Sequence, residues 1–250
     1  METISAVKPV SDLKVKLFAD GADKAAMLEL YAEPYIKGFT TNPTLMRKAG
    51  ITDYERFARE VLTHIADLPI SFEVFEDDFD GMYAQGCQIA SWAPNVYVKI
   101  PITNTKGDPA YDVVRRLSQS GVKVNVTAVM TLQQVAEAVK ALDGGVSACV
   151  SVFAGRIADT GRDPVPLMKE AVEILSVNPN LELIWASPRE LLNVFQADAI
   201  GCHIITATRD ILAKLQLVGK SLAEYSLETV QMFHKDAAAS GYSLYSSARA

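Results

Sequence analysis

Short apolar segments recur along the chain, separated by stretches with the periodicity of amphipathic helices. The β-branched and aromatic residues of these segments predict eight strands, at residues 16–20, 36–42, 70–75, 96–102, 122–130, 146–153, 181–187 and 200–206. Residues suited to helix N-termini precede three helical stretches: Asp23 before 24–31, Asp53 before 54–66 and Thr131 before 132–142. A further helix is predicted at 165–175. Eight strands alternating with helices over 250 residues predict an α/β fold, the (β/α)8 TIM barrel.

The chain shows no linker or low-complexity segment that would divide it. We expect residues 1–250 to form a single domain, with the barrel at about 16–220 and an additional amphipathic helix at about 222–240. A doubly wound parallel sheet is the alternative fold, but no glycine-rich phosphate-binding turn follows the first predicted strand. The final helix is a candidate contact between copies of the chain in a homo-oligomer.

The composition excludes several classes of function. With 24 basic and 30 acidic side chains the formal net charge is −6, which argues against a partner nucleic acid or an anionic membrane surface. We expect no secretory signal, because no early stretch combines basic residues, an apolar run and a small-residue cleavage site, and no apolar run is long enough to cross a bilayer. The scattered cysteines, Cys87, Cys149 and Cys202, are typical of free thiols in the reducing cytoplasm. The three histidines lack metal-ligand spacing, and we expect a cytoplasmic protein with no metal or other cofactor.

Lys99 is the most informative single residue, because it lies inside a predicted apolar strand between Val98 and Ile100. Burial among apolar side chains disfavours a charged ammonium, and a neutral amine can attack a carbonyl carbon to form a Schiff base. A lysine that reaches solvent from a strand end is the alternative interpretation when Lys99 is considered alone.

The alternation of side chains along the strands places further polar groups on the same face. In a barrel the outer strand face is covered by helices, so polar strand residues should point inward. On the fifth strand Asn125 and Thr127 share one face, opposite Ala128, and on the sixth Ser151 and Phe153 share a face. With Lys99, Glu73 and Asp20, these residues should converge at the carboxyl ends of the strands, where barrel active sites form. A structural polar layer would not require a lysine and two carboxylates.

Two predicted strands are followed by arginines suited to binding a phosphate. Arg156 follows the sixth strand, and Ser187 and Arg189 lie at the end of the seventh, on either side of Pro188. Barrels often bind phosphate through loops after their late strands, and guanidinium groups form charge-assisted hydrogen bonds with it. Either arginine alone could instead form a salt bridge at the rim. Their joint position predicts a phosphorylated ligand.

Four segments together resemble the transaldolase family of class I, Schiff-base aldolase-like enzymes: Phe39-Thr-Thr-Asn-Pro-Thr44, Asn95-Val-Tyr-Val-Lys-Ile-Pro101, Asn125-Val-Thr127 and Ser151-Val-Phe-Ala-Gly-Arg156. The resemblance runs in order from about residue 16 to the final helix. It implies a cofactor-free transferase of carbohydrate metabolism, in the pentose phosphate pathway, acting on sugar-phosphate substrates. Fructose 6-phosphate or sedoheptulose 7-phosphate is the implied donor.

The resemblance also implies a role for each matched residue. Lys99 is similar to the Schiff-base lysine, and Asp20 to the residue that handles the proton of the C4 hydroxyl. Glu73 and Thr127 are similar to the pair that holds the water of carbinolamine dehydration. The residues implied to bind the rest of the substrate, with the two amides on the dihydroxyacetone portion, are Thr41, Asn42, Asn125, Ser151 and Phe153. Those implied to hold the phosphate are Arg156, Ser187 and Arg189.

Transfer is not the only activity that the resemblance admits. The family also contains fructose-6-phosphate aldolases, which release dihydroxyacetone and usually carry Gln in place of Glu73 and Tyr in place of Phe153. Both residues here favour the transferase over this lyase. A non-catalytic sugar-phosphate-binding barrel is the alternative of another class, and it has no use for a buried amine.

Four positions depart from the family pattern. Val152 and Ala154 replace the usual Pro and Val, and Pro188 lies within the phosphate loop. Arg209 adds a positive charge after the eighth strand, where it could favour a second anionic group on the acceptor or pair with Asp210. These changes leave the acceptor sugar open.

Overall fold

A closed barrel of eight parallel strands forms the centre of the protein in the computed structural model, which describes residues 7–244. The strands are β1 (Lys16–Asp20), β2 (Ile36–Thr40), β3 (Ile70–Glu73), β4 (Val96–Pro101), β5 (Val124–Val129), β6 (Ala148–Val152), β7 (Leu181–Trp185) and β8 (Ile204–Thr208). Each strand pairs with the next in chain order, and β8 closes the ring against β1. The predicted (β/α)8 fold is therefore confirmed, and the doubly wound sheet is excluded.

Helices connect the strands and cover the outside of the barrel. They are α1 (Lys24–Tyr31), α2 (Pro43–Lys48), α3 (Tyr54–His64), α4 (Phe79–Ala90), α5 (Tyr111–Gln119), α6 (Leu132–Leu142), α7 (Ala154–Asp159), α8 (Pro164–Leu175), α9 (Leu192–Ala199) and α10 (Arg209–Leu212), with α11 (Leu222–Ser240) beyond them. Asp23, Asp53 and Thr131 cap α1, α3 and α6 as predicted, each accepting a hydrogen bond from a backbone N–H three residues later. The polar residues before these helices thus mark their true starts.

The eighth strand differs from its prediction, because it spans Ile204–Thr208 and not 200–206. Ile200 ends α9, and Gly201 follows it with a left-handed backbone, φ 75°. Residues 200–203 therefore belong to the end of the helix and to the connection that follows it. The shift of the strand brings Thr206 into the middle of β8 and Thr208 opposite Asp20.

The inside of the barrel changes from apolar to polar along the strands. Phe18, Cys149, Ile184 and Ile204 pack together in the interior, with Tyr97 against them. The interior residue two positions later on four of these strands is polar: Asp20, Lys99, Ser151 and Thr206 follow Phe18, Tyr97, Cys149 and Ile204. Side chains two positions apart share a strand face, so these apolar side chains form a layer directly beneath the polar one at the carboxyl ends of the strands. The apolar layer is therefore the floor of the site described below.

The described residues form two compact units, one of them Ser11–Leu215, which contains the barrel. The other consists of residues 7–10 and 216–244 and contains α11. Ser221 caps the start of α11, and Gly241, with a left-handed φ of 66°, ends it. The predicted final helix is thus present, and the single-domain organisation stays a prediction. Within residues 7–244 no helix combines the length and apolar character that a membrane span needs.

Candidate active site

A cavity of about 490 Å³ opens at the carboxyl ends of the barrel strands. Most of the residues singled out in the sequence line it: Asp20, Asn42, Glu73, Lys99, Thr127, Ser151, Phe153, Arg156, Ser187 and Arg189. They come from seven different strands or the loops after them, so closure of the barrel brings them together. The volume lies in the range of small-molecule sites.

Lys99 lies on β4 and is almost fully buried, with 5% of its surface exposed. Its Nζ is 3.2 Å from Oε2 of Glu73 and donates a hydrogen bond of 2.9 Å to the main-chain oxygen of Thr41. Glu73 and Lys99 are register partners on β3 and β4, so pairing of the two strands places the two side chains side by side. Val98 and Ile100 flank Lys99 along the strand, and the carboxylate of Glu73, expected at the same end of the barrel, offsets the burial of its charge.

Asp20 ends β1 and faces the same cavity. The hydroxyl of Thr40 donates to Oδ1 of Asp20 at 2.7 Å, and the hydroxyl oxygens of Thr40 and Thr206 are 2.5 Å apart. Because a hydroxyl carries one hydrogen, Thr206 donates to Thr40, which donates to Asp20. Burial raises the pKa of Asp20 above its ordinary value, and the nearby Lys99 and the bond from Thr40 oppose this rise.

Thr127 on β5 lines the cavity, and its buried hydroxyl has no hydrogen-bond partner among the described residues. A buried polar atom is normally satisfied, so an unpaired hydroxyl at the wall of a cavity is suited to binding a ligand atom. Glu73 and Thr127 line the same cavity, as the sequence pattern suggested.

Two of the predicted substrate-binding residues, Thr41 and Asn125, lie beneath the cavity wall and are fully buried. The hydroxyl of Thr41 donates to the main-chain oxygen of Ser71 at 2.8 Å, because alternation along the chain turns Thr40, and not Thr41, toward the cavity. The amide of Asn125 donates to Oγ of Ser71 at 3.0 Å and accepts from Oγ of Ser151 at 2.8 Å. In this structure both residues support groups that line the cavity.

Arg189 lies at the rim of the cavity and has two partners. Its Nε donates to Oδ1 of Asp159 at 2.9 Å, its Nη2 pairs with Oδ2, and its Nη1 donates to Oγ of Ser187 at 3.1 Å. The pairing raises the pKa of Arg189 and holds the pKa of Asp159 below its ordinary value. The rim salt bridge considered for Arg189 is thus present, and the guanidinium still lines the cavity. Arg156 places its guanidinium 5.7 Å from the ring centre of Phe153.

The loop after β7 approaches α7 very closely. A Cβ atom at Gly155 would be 1.5 Å from the main-chain oxygen of Ser187, so only glycine fits at this position. Ser187 itself has a left-handed backbone, φ 59°, which is strained for a residue with a side chain. Gly155 thus allows the loop to hold Ser187 and Arg189 beside Arg156.

Strict alternation along β5 predicts that Ala128 faces away from the barrel interior, and the structure corrects this. The pairing of β5 with β6 shifts register between Val126 and Val129, and Ala128 has a left-handed φ of 62°. The bulge turns Ala128 into the cavity wall. Strict alternation cannot reveal a bulge, since nothing in the residue types of this strand marks one.

Other cavity and rim residues also differ from expectation. Arg209 pairs with Glu29 of α1, so the suggested pairing with Asp210 is wrong, and Asp210 instead accepts from the hydroxyl of Thr208. Arg209 is not part of the cavity wall, whereas Lys48 of α2, which was not singled out, is. Among the described residues, no group of three or more His, Cys, Asp or Glu side chains is arranged to hold a metal ion.

Comparison with known proteins points to one family. The family model for transaldolase/fructose-6-phosphate aldolase matches residues 17–244. A probable transaldolase of Thermoanaerobacter sp. is 35% identical over 215 residues, covering 86% of this chain and 94% of the relative. A probable transaldolase of Methanococcus maripaludis is 36% identical over 202 residues, covering 80% of this chain and 89% of the relative.

Solved structures with the same architecture are more distant in sequence. The 3-hexulose-6-phosphate synthase of Salmonella typhimurium has a TM-score of 0.55 at 12% identity, covering 84% of this chain and 99% of its own. The 3-keto-L-gulonate-6-phosphate decarboxylase of Vibrio cholerae has a TM-score of 0.55 at 11% identity, covering 85% and 96%. Such low identity shows a shared barrel fold alone. The match of the family model and of relatives over most of their length shows more: the chain belongs to the transaldolase/fructose-6-phosphate aldolase family.

Proposed function

We propose that this protein is a transaldolase, which transfers a dihydroxyacetone unit from a ketose phosphate to an aldose phosphate through a Schiff base on Lys99. The observation that carries the proposal is a buried lysine amine 3.2 Å from a carboxylate, in a cavity that also contains a second carboxylate and two arginines. Such an arrangement supplies a nucleophile, proton-transfer groups and a phosphate anchor at once.

The first half of the reaction uses Lys99 and Glu73. The ammonium passes a proton to the carboxylate of Glu73, which is its nearest acidic partner, and the free amine attacks the ketose carbonyl carbon. The carbinolamine then loses its hydroxyl as water, with Glu73 returning the proton, and a protonated imine forms. The unpaired hydroxyl of Thr127 is suited to holding that water.

The second half uses Asp20 as the base. Its carboxylate accepts the proton of the C4 hydroxyl, the C3–C4 bond breaks, and the bonding electrons move into the protonated imine to give an enamine. The aldose phosphate leaves, an acceptor aldose phosphate enters, and the steps reverse to release the new ketose phosphate. The imine is the electron sink, and Thr40 holds the Asp20 carboxylate toward the substrate.

The phosphate of each sugar binds at the far rim, between α7 and the loop after β7. Arg156, Ser187 and Arg189 supply guanidinium and hydroxyl donors there. Asp159 accepts hydrogen bonds from Nε and Nη2 of Arg189 and leaves Nη1 beside Oγ of Ser187. Arg189 and Ser187 therefore present their donors to the phosphate together. These three residues hold the phosphate end of the substrate, and Lys99 holds its C2 carbonyl carbon. The C3–C4 bond therefore lies between the two anchor points.

Trapping the imine tests the proposal directly. Incubation with fructose 6-phosphate and borohydride is expected to add a reduced dihydroxyacetone or hexose phosphate fragment to a single peptide, the one containing Lys99. Intact-mass measurement and peptide mapping read the result. Absence of any lysine adduct, with ligand binding shown by calorimetry, would overturn the Schiff-base mechanism and favour a non-catalytic sugar-phosphate-binding barrel.

Phe153 favours transfer over release of dihydroxyacetone. Its ring lines the cavity and offers no proton, whereas a phenol at this position could protonate the enamine and let water end the reaction. Phe153→Tyr is therefore expected to raise the release of free dihydroxyacetone by about tenfold relative to transfer. Assays of donor cleavage with and without an acceptor aldose phosphate measure this ratio. An unchanged ratio in a folded variant would contradict the role of Phe153.

We also propose that the protein assembles into a homo-oligomer through α11. The exposed apolar side chains of α11, among them Leu222, Leu227, Val230 and Phe233, support a contact between copies in a homo-oligomer. A monomeric mass in sedimentation experiments would contradict it.

The compartment that we propose is the cytoplasm, where free cysteines stay reduced, and the three cysteines of the chain are free.

A further inference from the structure

The hydroxyl of Tyr54 makes two hydrogen bonds to the main chain of one residue, Glu73. It accepts from the backbone N–H of Glu73 at 2.8 Å and donates to the backbone oxygen of the same residue at 2.7 Å. Tyr54 is the first residue of α3, which lies outside the barrel, whereas Glu73 is the last residue of β3. One side chain thus binds both main-chain polar groups of a residue at the edge of the active site.

The geometry of the sheet explains why Glu73 needs this partner. In a parallel ladder the N–H and C=O of one residue point to the same neighbouring strand, and alternate residues point to opposite neighbours. The N–H of Val74 donates to the oxygen of Lys99 on β4 at 3.1 Å, so the polar groups of Glu73 point to the β2 side. There the pairing ends at Ser71, whose oxygen accepts from the N–H of Thr41. Tyr54 therefore takes the place of the strand that has ended.

Packing fixes the position of the Tyr54 ring. It contacts the rings of Phe72, Phe75 and Trp92, with centroid distances of 6.4, 5.5 and 5.9 Å. Burial raises the pKa of the Tyr54 hydroxyl above its ordinary value, so the group stays protonated and keeps its donor. The hydroxyl is thus held in one place and in one protonation state.

We propose that Tyr54 is a positioning residue for the reaction, because it fixes the backbone of Glu73 and so keeps the Glu73 carboxylate against the amine of Lys99. The inference rests on the proposed function, in which Glu73 exchanges protons with Lys99 and with the departing hydroxyl. Glu73 is at the end of its strand, and without Tyr54 its N–H and C=O have no ladder partner on the β2 side. A carboxylate on a loosened backbone would spend less time in the reactive geometry.

The test is the rate of imine trapping in Tyr54→Phe, which removes one oxygen and keeps the ring. With fructose 6-phosphate and borohydride, the trapping rate and kcat are expected to fall by about tenfold or more, while KM changes by less than about twofold. Tyr31→Phe is the matched control, because it removes a hydroxyl that bonds to Asp67 at the exposed surface. Its trapping rate is expected to equal that of the unchanged protein.

A second variant separates positioning from stability. Leu142→Ala truncates a fully buried side chain of α6 and leaves Tyr54 and the rings packed on it unchanged, so it is expected to lower the melting temperature while the trapping rate stays within about twofold. Equal trapping by Tyr54→Phe and the unchanged protein would overturn the inference and leave the proposed function standing. Rate losses that follow the melting temperature in both variants would also overturn it. If the unchanged protein forms no adduct, the proposed function fails and the inference fails with it.

Discussion

Lys99→Met is expected to reduce transfer activity by about a millionfold, the loss typical of removing the nucleophile of a covalent mechanism. Methionine has a similar length and an apolar end, so it fills the space of a side chain that is 5% exposed. It cannot attack a carbonyl, and borohydride trapping should give no adduct. Coupled transfer assays at high enzyme concentration and intact-mass measurement check both results.

The control for this variant must separate chemistry from folding. Lys99→Met leaves the Glu73 carboxylate without its cation, which destabilises the fold. The double variant Lys99→Met with Glu73→Gln removes both charges and is expected to melt at a higher temperature than the single variant, with activity still absent. Lys123→Met changes a lysine that bonds to the oxygen of Pro94 outside the cavity and should keep full activity. Transfer by a folded Lys99→Met protein would rule out Lys99 as the nucleophile.

Asp20→Asn is expected to lower kcat by about a hundredfold to ten-thousandfold, because it removes the base that accepts the proton of the C4 hydroxyl. Imine formation does not need this base, so trapping with fructose 6-phosphate should still modify Lys99. The mass of the adduct distinguishes the two steps: a hexose phosphate adduct should accumulate in the variant, since the C3–C4 bond stays intact. A dihydroxyacetone adduct formed at the normal rate would exclude Asp20 as the base.

The raised pKa of Asp20 also gives pH effects of known sign. Since only the ionised carboxylate accepts a proton, the acidic limb of kcat should lie above the ordinary carboxyl value of 3.8, and Asp20→Asn should lose that limb. The folded protein binds this proton more tightly than the unfolded chain, so ionisation of Asp20 lowers stability as pH rises above 3.8. Melting temperatures measured in steps from about pH 4 upward should show the Asp20→Asn variant becoming more stable relative to the unchanged protein as the pH rises. A difference independent of pH would contradict the shift.

Features that depend on neighbouring residues could be predicted from the chain. Helix starts at Asp23, Asp53 and Thr131 follow from side chains that bond to the backbone three residues later. Period-two alternation places Lys99, Ser151 and most other cavity residues on the inner face without knowledge of their partners. The prediction failed where the backbone departs from regular geometry, as at Ala128, whose left-handed conformation inverts the expected face.

The sequence by itself determined the barrel, the buried amine and the arginines at the rim, because periodicity, turn residues and motif spacing are local properties of the chain. Only the tertiary structure decided which groups surround them. It brings Thr40 to Asp20, Asp159 to Arg189 and Tyr54 to Glu73, residues that belong to different strands and helices. These contacts arise from strand register and from helices packed across the chain, and no local pattern of residue types encodes either one.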